Sequence, residues 1–154
     1  MQVDSTYATS ASHMKALRRS DGRWVLVLRR GEPVVATVLG WVEREQIASG
    51  SLSGLGSIRD AELGYYDLDK REYLRRRWPG DMEVVNLTGN LARRDGQPVL
   101  HAHATLSGPD FAAVGGHLFE ATVAVTLELE VRPGADAVRR APDEETGLNL
   151  IHLP

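Results

Sequence analysis

From Phe119 to Val131 the chain alternates more cleanly than anywhere else. Phe119, Ala121, Val123, Val125, Leu127, Leu129 and Val131 share one parity, and Glu120, Thr122, Thr126, Glu128 and Glu130 share the other. Successive side chains of a strand point to opposite faces. The run therefore predicts a long strand with one face in a core.

The rest of the chain supplies partners for such a strand. Arg23 to Arg30 alternates, with Trp24, Leu26 and Leu28 on one face. Gly31-Glu32-Pro33 breaks it, and Pro33 suits the first turn of a helix because its missing N–H costs nothing there. Val34, Val35, Val38, Leu39, Val42 and Ile47 then fall on one helical stripe, opposite Glu43 and Arg44. The glycine-rich stretch from Gly50 to Ser57 lacks the Gly-Lys-Ser/Thr ending of a phosphate loop, so a close-packed, bulged strand is the better reading. Ile58 to Asp67 continues as strand with Leu63 and Tyr65 on one face, Asp67 to Lys70 turns, and Arg71 to Trp78 returns. Glu83 to Ala92 reads as a further strand with Val85, Leu87 and Leu91 on one face. After the hairpin signal Asp95-Gly96, the segment Val99 to Ser107 comes back. Antiparallel strands joined by hairpins, with one main helix, make an α+β domain dominated by its sheet. A single helix leaves part of that sheet uncovered, and a homo-oligomer would bury it.

The 154 residues fit one domain, with residues 14–154 as its extent and a C-terminal tail after Pro133. Leu148, Leu150, Ile151 and Leu153 predict that this tail docks on the body. Residues 1–13 read as a flexible lead, with Ser12-His13-Met14 resembling a cloning junction, and are set aside. A net charge of −3 gives the chain no general attraction to polyanions. The absence of cysteine excludes disulfides and thiolate metal sites, and it fits a cytoplasmic protein. No apolar run is long enough to span a bilayer, so no membrane role is expected.

Three of the five histidines lie in two neighbouring segments, His101-Ala102-His103 and Gly115-Gly116-His117. Residues at i and i+2 of a strand share a face, so His101 and His103 present two imidazoles side by side, opposite the apolar row Leu100, Ala102, Ala104 and Leu106. With His117 from an adjacent strand they would form a three-nitrogen site of the kind zinc uses, with one position open. The plain alternative is three histidines hydrogen-bonded at a subunit interface. His117 carries the apolar parity of the long strand, which turns it inward unless the glycine pair makes a bulge. Glu120 has the opposite parity and reads as a solvent or interface carboxylate. Arg75-Arg76-Arg77, beside Trp78 and near Tyr73, could contact phosphate, but in an acidic chain a charged edge strand is the better reading.

Several runs together resemble the plant-and-prokaryote-conserved (PPC) domain family. They are Gly54 to Ile58, Ala61 to Asp67, Glu83 to Asn90, Leu100 to Ala104, Val114 to Leu118 and Thr122 to Glu128, and the resemblance extends over about Arg18 to Pro133. It implies a compact fold dominated by an antiparallel sheet, assembling as a homotrimer. It also implies a metal site in some prokaryotic members, at positions matching His101, His103 and His117. In plants the domain follows a minor-groove AT-hook and mainly mediates protein association; this sequence holds no such Arg-Gly-Arg-Pro element. DNA binding by the bacterial members is an inference from fold alone.

Three functions follow. The favoured one is a trimeric binding or regulatory module with a three-histidine zinc site and a small-molecule ligand. The next is a zinc-dependent enzyme on a small substrate, for which no general base is evident and no H-E-x-x-H helix exists. The third is a DNA-binding protein, which the acidic charge and the short basic run oppose.

Overall fold

A computed structural model describes residues 13–153. The lead expected over residues 1–13 therefore lies, apart from His13, outside the described residues. In chain order the elements are β1 (Lys15–Arg18), β2 (Trp24–Arg29), α1 (Val34–Arg44), β3 (Gly50–Asp67), β4 (Glu72–Arg94), β5 (Gln97–Ser107), β6 (Ala113–Pro133), β7 (Arg139–Pro142) and β8 (Asn149–His152). The sheet-dominated α+β class read from the sequence is the one observed.

β6 lies between β2 and β3, with Leu26 opposite Leu129 and Leu52 opposite Val131. β3 and β4 pair over most of their length, and β4 turns into β5 at Asp95-Gly96. Both turn residues have positive φ, 50° and 79°, the backbone that a tight hairpin twisting with its strands requires. β5 also pairs with β6, with His103 opposite His117 and Leu106 opposite Val114. The pairings β3–β4, β4–β5, β5–β6 and β6–β3 thus close into a ring. Closure leaves these long strands few open edges.

The core lies inside this ring and under α1. Leu26, Leu28, Val38, Trp41, Val123, Leu106, Leu127 and Val131 are fully buried, and Trp24 meets Trp41 edge-on with centroids 5.4 Å apart. Each such side chain contributes about 1.5–3 kcal/mol through removal from water. Val34, Val38 and Val42 lie on the expected helical stripe, joined by Trp41. Among the described residues, no helix is long and apolar enough to cross a membrane.

Bulges account for the main departures from the sequence reading. The two strands expected at Arg71–Trp78 and Glu83–Ala92 are one strand, β4, which passes through Pro79-Gly80. A register shift there gives Asp60 and Gly80 positive φ, and the Asp60 carboxylate accepts the Gly80 N–H at 3.1 Å. A second shift, between Val84 and Asn86, buries Val84 and Leu87 and turns Val85 out. A third, opposite Ser57, turns out Val125, which strict alternation would bury. Tyr65 shares the parity of buried Leu63 but is exposed. The glycine-rich run does form a bulged strand. A side chain at Gly54 or Gly56 would strike the β6 backbone, at the carbonyls of Glu128 and Thr126 respectively.

Candidate metal centre

β5 alternates without interruption around the histidines. Ala102, Ala104 and Leu106 are buried, so His101 and His103 emerge together on the opposite face. His117 reaches that face by a less regular route. In β6, Leu118 and Ala121 are both buried although three residues apart, because the register with β3 shifts at Phe119-Glu120. That extra residue reverses the parity. The inward-pointing His117 expected of a straight strand becomes a neighbour of His103. The bulge lies after His117 and not at the glycine pair before it. The glycines serve close approach instead: a Cβ on Gly116 would stand 2.7 Å from the Gly64 carbonyl oxygen.

The same bulge assigns Glu120. Its carboxylate accepts the N–H groups of Val35 at 2.8 Å and Ala36 at 3.1 Å, the first turn of α1. Pro33, at the N-cap position, offers no side-chain hydrogen bond of its own. Glu120 therefore caps the helix from another strand, with its charge at the positive end of the helix dipole. The expectation of a solvent or interface carboxylate is corrected, because the straight-strand picture could not show which element it meets.

One nitrogen from each of His101, His103 and His117 lies within 4.8 Å of the other two, and the triad could hold a metal ion. Nε2 of His101 stands 3.2 Å from Nε2 of His103. Arg140, on β7, donates from Nη2 to Nδ1 of His101 at 3.1 Å and to Oδ1 of Asn90 at 2.9 Å. A guanidinium can only donate, so Nδ1 of His101 is the acceptor and the neutral ring holds its proton on Nε2, toward His103. Nδ1 of His117 is buried without a hydrogen-bond partner. A buried ring nitrogen left unpartnered in this chain beside two imidazoles has ligating capacity that a metal site can use.

Burial is the main cause that pushes His117 down to about 4, with His101 and His103 adding to it. Burial also lowers His101, followed by Arg140 and His103. These rings are held neutral, the form that ligates a metal. His117, Tyr73 and Phe119 pack with centroids 4.8–5.1 Å apart, and Tyr66 meets Tyr73 edge-on at 4.9 Å. Burial raises the Tyr73 phenol above its ordinary value.

The triad opens into a cavity of about 550 Å³ whose walls include Val99, Leu100, Leu148, Leu150, Tyr66 and Arg140. Its size lies in the usual range for small-molecule sites. The tail helps line the cavity and is tied to the body by polar contacts, Tyr66 donating to the Thr146 carbonyl at 2.5 Å and Arg140 to Asn90. Of the apolar residues expected to dock it, Leu150, Ile151 and Leu153 are exposed. Sequence reasoning missed Arg140, since nothing local marks one arginine of a polar tail. The basic run, by contrast, divides. Arg75 stacks on Phe119 at 3.7 Å and Arg76 on Trp78 at 4.0 Å, their places alternating along β4. His152 lies on β8, outside the triad.

A sheet-built cluster of three imidazoles on the wall of an open cavity defines a candidate metal-binding domain. The chain matches the Plants and Prokaryotes Conserved (PCC) domain over residues 17–133 and belongs to that family. This is the family its motifs resemble. A candidate DNA-binding protein of Ralstonia eutropha JMP134 is 30% identical, with a TM-score of 0.83 over 91% of this chain and 96% of its own. A metal-containing protein of Archaeoglobus fulgidus is also 30% identical, with a TM-score of 0.79 over 94% of this chain and all (100%) of its own. A plant- and prokaryote-conserved protein of Pyrococcus horikoshii, 24% identical, shares the fold with a TM-score of 0.79 over 92% of this chain and 96% of its own. No curated protein matches the chain.

Proposed function

We propose that this chain is a binding or regulatory module, assembling as a homotrimer, whose residues His101, His103 and His117 hold one zinc ion. The observation that carries the reading is the convergence of three imidazoles, one of them with an orphaned buried nitrogen, on the wall of a cavity. The metal-containing relative from Archaeoglobus fulgidus supports it. Bound zinc would offer a Lewis-acidic open position. The chain's own residues would set the three nitrogens, pack Tyr73 and Phe119 against His117, and hold a ligand beside the C-terminal hairpin.

Trimer formation is supported by Leu55, Val85 and Val125, all more than half exposed. They belong to the adjacent strands β3, β4 and β6, close to Gly56. An enzymatic role ranks lower. Glu120 is engaged at the helix start, and among the described residues no carboxylate lines the cavity to act as general base.

A second reading, DNA binding, is favoured by the relative from Ralstonia eutropha. Against it stand the net charge of −3 and the division of the basic run between two stacking partners. Metal analysis of protein purified without added zinc, with a gel shift at physiological salt, separates the two. The module reading expects about one zinc per chain, the stoichiometry of a three-histidine site, and no preference among duplexes. Metal-free protein that binds one duplex tightly, and loses this in an Arg75/Arg76/Arg77 triple alanine variant, would establish the second.

A further inference from the structure

The charge balance of the cavity is unusual. Arg140 is half-buried, yet its side-chain hydrogen-bond partners among the described residues are neutral: the Asn149 carbonyl, Asn90 Oδ1 and His101 Nδ1. Its Nε is buried and unpartnered, and among the described residues none of the ion pairs includes it. Arg94 also lines the cavity, and among the described residues no Asp or Glu does. A partly desolvated guanidinium without a counter-ion is favourably placed to pair with an anion. The other walls are apolar, from Val99, Leu100, Leu148 and Leu150.

We propose that this cavity binds a small organic carboxylate, with the anionic group on Arg140 and the apolar body against Leu148 and Leu150. The proposal deepens the module reading and rests on it for the site, though not for the presence of zinc. A planar guanidinium pairs with a carboxylate through two parallel N–H···O bonds. Metal and ligand would cooperate through His101. With Nε2 on a metal, a neutral His101 carries its proton on Nδ1, and Arg140 can no longer donate to that atom. Loading the triad therefore releases Nη2 for the ligand. By linkage, the carboxylate then strengthens metal binding by the same factor as metal strengthens carboxylate binding.

The test is calorimetric titration of the full chain with 3-methylbutanoate and with its neutral isostere 3-methylbutanamide, each on zinc-loaded and chelator-treated protein. The acid is expected to bind and the amide to bind roughly tenfold more weakly or not at all. Arg140→Gln should lose the acid roughly tenfold, and Arg140→Lys should recover part of it. Equal binding of acid and amide to the wild-type protein, or no binding of either, overturns the proposal without recourse to any variant. An Arg140→Gln protein with an unchanged circular dichroism melt and undiminished affinity for the acid also overturns it. Zinc uptake is measured separately by dialysis. Acid preference without zinc uptake would sustain the carboxylate site and end the metal reading, and zinc uptake without acid preference would do the reverse.

Discussion

His103 and His117 are register partners across β5 and β6, with ring centroids 5.7 Å apart, although an unbroken strand counted back from Val131 would turn His117 into the core. The bulge at Phe119-Glu120 produces this relationship. The same extra residue sends Glu120 to the start of α1. One backbone irregularity therefore assembles the triad and caps the helix that covers the sheet.

Glu120→Ala should destabilise the fold by roughly 1 kcal/mol, since it removes the acceptor of two helix N–H groups. Glu120→Gln, which keeps an acceptor but loses the charge at the helix dipole, should cost less. Urea denaturation of the metal-free proteins measures both. Zinc uptake should be unchanged in each, because Glu120 does not belong to the triad.

Gly116→Ala should be far more damaging than an exposed glycine substitution. Its Cβ would stand 2.7 Å from the Gly64 carbonyl oxygen, and a backbone atom in a sheet cannot yield as a side-chain tip can. A cost of about 1–3 kcal/mol is expected, from the same denaturation measurement, with weakened zinc uptake as β6 is pushed from β3. Gly96→Ala meets nothing nearby, and its cost should come only from its positive φ.

The acid response of the metal-free protein follows from His117. Its folded-state value is depressed from 6.5 to about 4, chiefly by burial. Between those values the unfolded chain binds a proton that the folded chain refuses, so stability falls as pH falls. The contribution is fully present above about pH 6.5 and lost as pH drops through about 4. Thermal melts at intervals across this window should show the decline, and His117→Gln should flatten it. An NMR titration that found the His117 ring protonated at pH 6 would contradict this assignment.

A homotrimer is expected in solution, held in part by Leu55, Val85 and Val125. Light scattering at micromolar concentration should give three times the chain mass. Val125→Glu should lower it, since a charge there is costly to bury in an apolar contact. A stable monomer for the wild-type chain would dismiss the assembly.

The alternating segments were legible because period-2 patterns at Trp24–Leu28 and Leu100–Leu106 meet no irregularity. The histidine triad was legible because His101 and His103 lie on such a segment and His117 follows glycines that allow close strand approach. The side on which His117 emerges was not. A bulge is fixed by how a strand registers with its neighbour, and Phe119-Glu120 carries no turn residue to announce it. Val85 and Val125 were misplaced for the same reason. Arg140 lay beyond reach differently. Its contact with His101 spans 39 residues and depends on how the C-terminal hairpin docks, which no local pattern encodes.

Equilibrium dialysis against zinc at neutral pH tests the central claim most directly, with the wild-type protein beside His103→Ala and His152→Ala. The three-histidine site predicts about one zinc per wild-type chain, none held by His103→Ala, and full uptake by His152→Ala, whose histidine lies outside the triad. No zinc uptake by the wild-type chain, or equal uptake by wild type and His103→Ala, would contradict it.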